Sequence, residues 1–232
     1  MPVGARAAQT TRRGGVSQGP WCSLNLATHT GDDPAAVEEN RRQLIACLEL
    51  PRPPQWLQQV HGTRVVEVEQ AINDPRADAV VARHPGWVCA VQTADCLPVL
   101  FCSKDASVVA AAHAGWRGLC AGVLEATIAA MAVAPDQIMA WLGPAIGPEA
   151  FEVGPEVREA FCAEDAASAA AFRRGSGDRH WADIYHLARL RLTRTGVTRI
   201  YGGGACTYTQ SEEFFSYRRT PVCGRMASLI WR

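Results

Sequence analysis

Two histidines and one cysteine in this sequence have the types and contexts that chemistry needs. His61 lies in QQVHG, where an apolar run ends at a glycine, and His113 lies in VVAAAHAGWRG, again between an apolar run and a glycine. Cys96 lies in VQTADCLPVLF, in the break between two apolar runs. Ligands at strand ends can converge on one rim of a sheet. Two imidazoles and a thiolate form a catalytic zinc set that leaves a fourth position for water, and zinc lowers the pKa of such a water toward neutrality. The spacing of the three is long, so it is weaker evidence than a C-x-x-C pair. The bland alternative is a satisfied histidine or a small core cysteine at each position. The same residues also permit a thiol hydrolase, with Cys96 as nucleophile and His113 as its base. A non-enzymatic metal-binding protein is a further reading, but a closed structural site takes four protein ligands and a fourth is not evident.

Other residues gather around this trio. Gly115-Trp116-Arg117-Gly118 directly follows His113 and opens a predicted helix, whose free N–H groups together with Arg117 suit an anion; a surface capping turn is the competing reading. FFSYRR, from Phe214 to Arg219, offers rings for stacking and arginines for phosphate or carboxylate. A half-buried strand with Phe215 and Tyr217 on one face would show the same pattern. His29, His84, His180 and His186 read as solvated or satisfied histidines, and the Gly202–Gly204 run reads as a turn. A multicopper oxidase needs further histidines, mostly in H-x-H pairs, and the remaining histidines form none, so copper is disfavoured. The H-x-E and P-C-x-x-C elements of cytidine-type deaminases are also missing.

The elements that must position these residues can be read from periodicity and punctuation. A helix is predicted from the Asp33 N-cap and Pro34 to about Leu50, ahead of Pro51. Valine-rich strand signals follow at 55–60, 64–68, 77–82, 87–92, 97–102 and 107–112. The pattern turns helical over 118–131, with Val123, Leu124, Ile128 and Met131 on one face. A strand at 138–142, helices at 155–161 and 183–195, and strands at 199–202, 214–218 and 226–231 complete the chain. Strands in blocks with helices between them argue for an α+β fold. No linker, repeat or low-complexity run divides residues 1–232, so a single domain is expected, with the first ten or so residues loosely held.

Composition sets the compartment and the partners. Lys+Arg and Asp+Glu are 23 each, and this balance argues against nucleic acid as the partner. The polar N-terminus lacks the apolar core of a signal peptide, and no run is long enough to span a membrane. Nine cysteines, an odd number without a C-x-x-C pair, read as reduced thiols in the cytoplasm.

GVSQGPWCSLNLATHTGDDPAAVEENR, QQVHGTRVVEV, ADAVV, TADCLPV, AAHAGWRG, GPAIGPEAFEVGPEV and FFSYRRTPVCGRMASLIW together resemble the laccase-domain family. That family was formerly described as polyphenol oxidoreductases; it includes purine nucleoside phosphorylases and a peptidoglycan editing factor. The likeness runs from about Thr10 to Trp231. It implies an α+β fold of packed mixed sheets flanked by helices, and one Zn2+ per chain held by His61, Cys96 and His113. It further implies a cytoplasmic, usually monomeric enzyme acting on a small molecule. The activity implied is phosphorolysis of adenosine, inosine and methylthioadenosine, with adenosine deamination as a second reaction. The rival within the family is a zinc amidase that removes a mis-incorporated amino acid from a peptidoglycan precursor. Matching motifs nominate Asn25, Arg64, Arg117 and Arg218 as substrate-binding residues. The departures, Trp21 in place of tyrosine and Thr209-Gln210 before FFSYRR, do not touch the trio.

Overall fold

The computed structural model describes residues 2–69 and 74–232. In chain order its elements are β1 (Arg6–Gln9), α1 (Pro34–Cys47), β2 (Val65–Glu67), β3 (Ala79–Ala82), β4 (Val88–Thr93), β5 (Leu97–Ser103), β6 (Val109–Ala114), α2 (Trp116–Ala121) and α3 (Val123–Met131). They continue with β7 (Ile138–Leu142), β8 (Glu152–Val153), α4 (Pro155–Glu164), β9 (Phe172–Arg174), β10 (His180–Ala182), α5 (Ile184–Arg194), β11 (Arg199–Gly202) and β12 (Met226–Trp231). Among the described residues, a six-stranded mixed sheet has the order β11-β7-β5-β6-β3-β2. A three-stranded sheet has the order β1-β12-β4, and a small one the order β8-β10-β9. The fold is α+β, as the strand and helix blocks predict.

Period-two alternation explains the layering. Ala79, Val81, Val99, Phe101, Ala110 and Ala112 point from the large sheet toward α3 and α5, where they meet Val123, Ile128, Met131 and Leu187. Their neighbours Val80, Leu100, Val109 and Ala111 point the other way, against Cys89, Val91 and Ile230 of the second sheet. That sheet's outer residues Val88, Ala90, Leu229 and Trp231 pack beneath Leu44 of α1. Strands β3 to β6 are therefore buried on both faces, which accounts for their nearly unbroken apolar sequences. The row of alanines on β6 keeps the layers close.

Most predicted elements appear within one to three residues of their expected ends, and three do not. Residues 55–60 form no strand: after Pro53-Pro54 only an isolated bridge joins Gln58 to Arg76. The long helix at 118–131 starts earlier and is two helices, because Gly122 adopts a left-handed φ of 101° that caps α2 and starts α3. Residues 214–218 form no strand, with an irregular stretch at 214–216 followed by a turn, and Phe215 and Tyr217 do not share a face: Phe215 is buried while Tyr217 is 54% exposed. Strand β1, which carries no strand signal in RAAQ, pairs with the edge of β12.

Candidate metal centre and its cleft

The buried carboxylate of Asp78 organises the site. Asp78 stands one residue before β3, where the main-chain N–H of His113 donates to its carbonyl at 2.7 Å. Its side chain is fully buried and accepts four hydrogen bonds. Oδ1 takes His113 Nδ1–H at 2.8 Å and the His61 N–H at 2.9 Å; Oδ2 takes the Gly62 N–H at 2.7 Å and the Val60 N–H at 3.2 Å. Burial alone would raise its pKa, but these bonds hold it below the ordinary carboxylate value. One carboxylate thus orients the His113 ring, turning Nε2 toward Cys96, and pins the loop in which His61 adopts a left-handed φ of 60°.

Cys96 enters from the turn between β4 and β5, and its Sγ lies 3.8 Å from His61 Nε2. The two imidazole rings are 4.8 Å apart at 79°. The three ligand atoms lie within 4.8 Å of one another, and among the described residues no other group of three His, Cys, Asp or Glu side chains is clustered this way. Burial would raise the Cys96 thiol; the charge and hydrogen bonds of His113 and His61 outweigh it and bring it down to about 6. Burial would lower His113, but Cys96 and Asp78 raise it to about 9. The electrostatics that hold a proton on His113 equally favour a divalent cation. Two glycines of HAGWRG make the convergence possible. A Cβ on Gly115 would stand 2.6 Å from His61 Cδ2 and 3.2 Å from Cys96 Sγ; one on Gly118 would stand 2.8 Å from the Gly62 carbonyl oxygen.

The trio lines a cleft of about 390 Å³, together with His29, Gln59, Asp95, Tyr217, Arg218 and Arg225 among others. Of the four nominated substrate-binding residues, the structure brings only Arg218 here. Asn25 is fully buried, with its amide donating to Ala27, Thr30 and Asp32 and its oxygen accepting from Ala27 and Arg225, so it braces the loops. Arg64 pairs with Asp74 at 3.0 Å on the surface. Arg117 is exposed, with its guanidinium 4.5 Å from the Trp116 ring, and does not line the cleft. The helix it opens is only six residues long.

Sequence reasoning did not nominate Asp95, Arg225 or Gln59, offered Tyr217 only among the rings of FFSYRR, and read His29 as a solvated or satisfied histidine. Asp95 had a signal: an aspartate in a nearly unbroken apolar stretch, next to a candidate ligand. Its φ is 86°, and its carboxylate accepts from Thr207 Oγ1 at 2.6 Å, Ser216 Oγ at 3.0 Å and the Arg218 N–H at 2.7 Å. It therefore ties the segment bearing Tyr217 and Arg218 to the turn bearing Cys96. A larger cavity, about 460 Å³, lies elsewhere against Leu100, Met139, Trp141 and Ile230, and no histidine, carboxylate or arginine lines it.

Known proteins resemble the chain over nearly its whole length. The chain is 59% identical to an Escherichia coli protein named purine nucleoside phosphorylase YfiH, over all of this chain and 95% of the relative. It is 55% identical to purine nucleoside phosphorylase PA4543 of Pseudomonas aeruginosa, over 99% of this chain and 94% of the relative. The crystal structure of Neisseria meningitidis protein NMB0706 superposes with a TM-score of 0.96 at 52% identity, covering 99% of this chain and 95% of that one. YlmD from Geobacillus stearothermophilus follows with a TM-score of 0.91 at 33% identity, covering 99% and 92%. Residues 6–232 match the family described as multi-copper polyphenol oxidoreductase laccase, and the chain belongs to that family.

Proposed function

We propose that the protein is a zinc-dependent purine nucleoside phosphorylase, acting on adenosine, inosine and methylthioadenosine as a cytoplasmic monomer of one domain. The observation that carries this reading is the presence, in one small-molecule-sized cleft, of a His₂Cys ligand set and the Arg218 guanidinium. The names of the curated relatives support it. His61, Cys96 and His113 would hold the metal, and the set suits zinc: one thiolate and two imidazoles with room for an exogenous ligand. A copper oxidase would need a second cluster, and among the described residues no other group of metal-ligand side chains is assembled. When bound, zinc supplies Lewis-acid polarisation in the cleft.

The chain's own residues do the rest. Arg218 donates through Nη1 to the Glu152 carbonyl at 2.9 Å, which leaves the rest of its fork for a phosphate. Tyr217, at the rim, offers a face for a purine to stack on. Asp95 keeps both in register with Cys96. In the reaction a phosphate oxygen bonds to the anomeric carbon while the glycosidic C–N bond breaks. The base departs with the bonding pair and takes up a proton.

The test is phosphate dependence. Metal-loaded protein given adenosine and phosphate should release adenine and ribose 1-phosphate in equal amounts, and neither without phosphate. Adenine release that persists in phosphate-free buffer would overturn the reading. Inosine formed without phosphate would identify deamination as an activity of its own. Failure to release adenine, beside loss of serine from a muramyl precursor, would turn the assignment to the amidase.

A further inference from the structure

Arg225 is not among the residues nominated for binding, although it lies in the same motif as Arg218, yet it lines the cleft beside the metal ligands. Its Nη1 donates to the carbonyls of Cys223 at 2.9 Å and Gly224 at 3.0 Å, so its own loop braces the guanidinium. Arg218 is braced the same way, through Nη1 to Glu152. Neither arginine has a carboxylate partner among the described residues, unlike Arg64, Arg76 and Arg191, each of which pairs with an Asp or Glu. Among the described residues that line the cleft, the one carboxylate, Asp95, is engaged by three donors. His29 lines the same cleft, and partial burial, then the Arg225 and Arg41 charges, lower its pKa. Both arginines stand on the loop that leads into β12, with Arg218 held at its far side by the Glu152 carbonyl of β8 and Arg225 directly before β12. Two braced cations facing one cavity repel each other, and an incoming anion relieves that repulsion while finding donors already in place.

We propose that Arg218 and Arg225, with His29 in the same cleft, form a subsite for a tetrahedral oxyanion, inorganic phosphate, next to the metal ligands. The assignment rests on the phosphorylase reading and adds Arg225 and His29 to it. Planar guanidinium forks present paired N–H donors that match phosphate oxygens, and a neutral imidazole adds one more.

The experiment is calorimetric titration of inorganic phosphate into metal-loaded and chelator-stripped protein, with adenosine titrated separately. Arg225→Gln should weaken phosphate binding by about tenfold or more in both forms, the size expected for charge-assisted hydrogen bonds. It should leave adenosine affinity within about twofold. His29→Ala should give a smaller loss. Arg225→Lys, which keeps the charge, should recover part of the affinity, and an unchanged melting temperature separates lost binding from lost folding. Phosphate affinity unchanged in Arg225→Gln would overturn the subsite. So would phosphate binding that disappears with the metal and ignores Arg225. If binding depends on Arg225 but adenosine is not turned over, the subsite stands and the phosphorylase reading falls. If adenosine is phosphorolysed with an unchanged phosphate KM in Arg225→Gln, the subsite falls and the reading stands.

Discussion

Strand β5 begins one residue after Cys96 and holds Cys102 near its other end, and the two thiols meet opposite surroundings. Cys96 faces two imidazoles in the polar cleft, and its pKa is brought down to about 6. Cys102 faces the larger apolar cavity, where burial pushes its thiol up to about 11. Both ends lie in one sheet, so backbone architecture alone does not make a reactive thiol. The difference comes from Asp78, which orients the His113 imidazole and pins the His61 main chain, and from Gly115, whose missing side chain lets the ligands approach. Cavity size is no guide to chemistry in this molecule. The bigger cavity is the apolar one.

The largest expected effect separates the two cysteines outright. Cys96→Ala should abolish turnover and metal binding, while Cys102→Ala should keep both and cost about 1 kcal/mol of stability for the lost packing. Equal effects at the two positions would erase the distinction. Next in size is Asp78→Ala, which strands the buried His113 Nδ1–H and three part-buried main-chain donors. Metal affinity should fall about 10–100-fold, and denaturant unfolding should show a loss of about 3 kcal/mol or more. Because the Asp78 pKa is held below its unfolded value, its contribution is present above that unfolded value. It is lost as pH falls through the folded one.

A pH profile sharpens the comparison further. In chelator-stripped protein, alkylation of Cys96 should rise with pH and reach half its maximal rate near pH 6, since the thiolate is the reacting form. Cys102 should stay unmodified at the same pH. A Cys96 midpoint near the ordinary thiol value would show that the imidazoles do not act on it. The smallest effect belongs to Arg117→Ala. With its guanidinium stacked on Trp116 outside the cleft, KM for phosphate should stay within about twofold of wild type. A large rise would place the anion outside the cleft.

The sequence made one class of residue legible and hid another. The metal-ligand types at strand ends, the buried strands and the Asp33 cap are local signals, and the family motifs reinforce them. Asn25 and Arg64 share those motifs, yet they brace loops or pair on the surface, because a motif marks where the fold is constrained and not why. Arg117 suggested an anion site through its helix start, but Gly122 ends that helix after six residues and the side chain turns outward. Arg225, His29 and Asp95 reach the cleft through loops more than a hundred residues apart in places. Their meeting depends on how β12 and β4 pack against the large sheet, which no local spacing encodes.

The most direct measurement is zinc K-edge X-ray absorption, with elemental analysis, on the pure protein. One zinc per chain is predicted, with a single sulfur at about 2.3 Å and two imidazole nitrogens at about 2.0–2.1 Å. Cys96→Ala should remove both the sulfur scattering and the metal. Zinc retained in full by Cys96→Ala, or a wild-type coordination sphere without sulfur, would contradict the account.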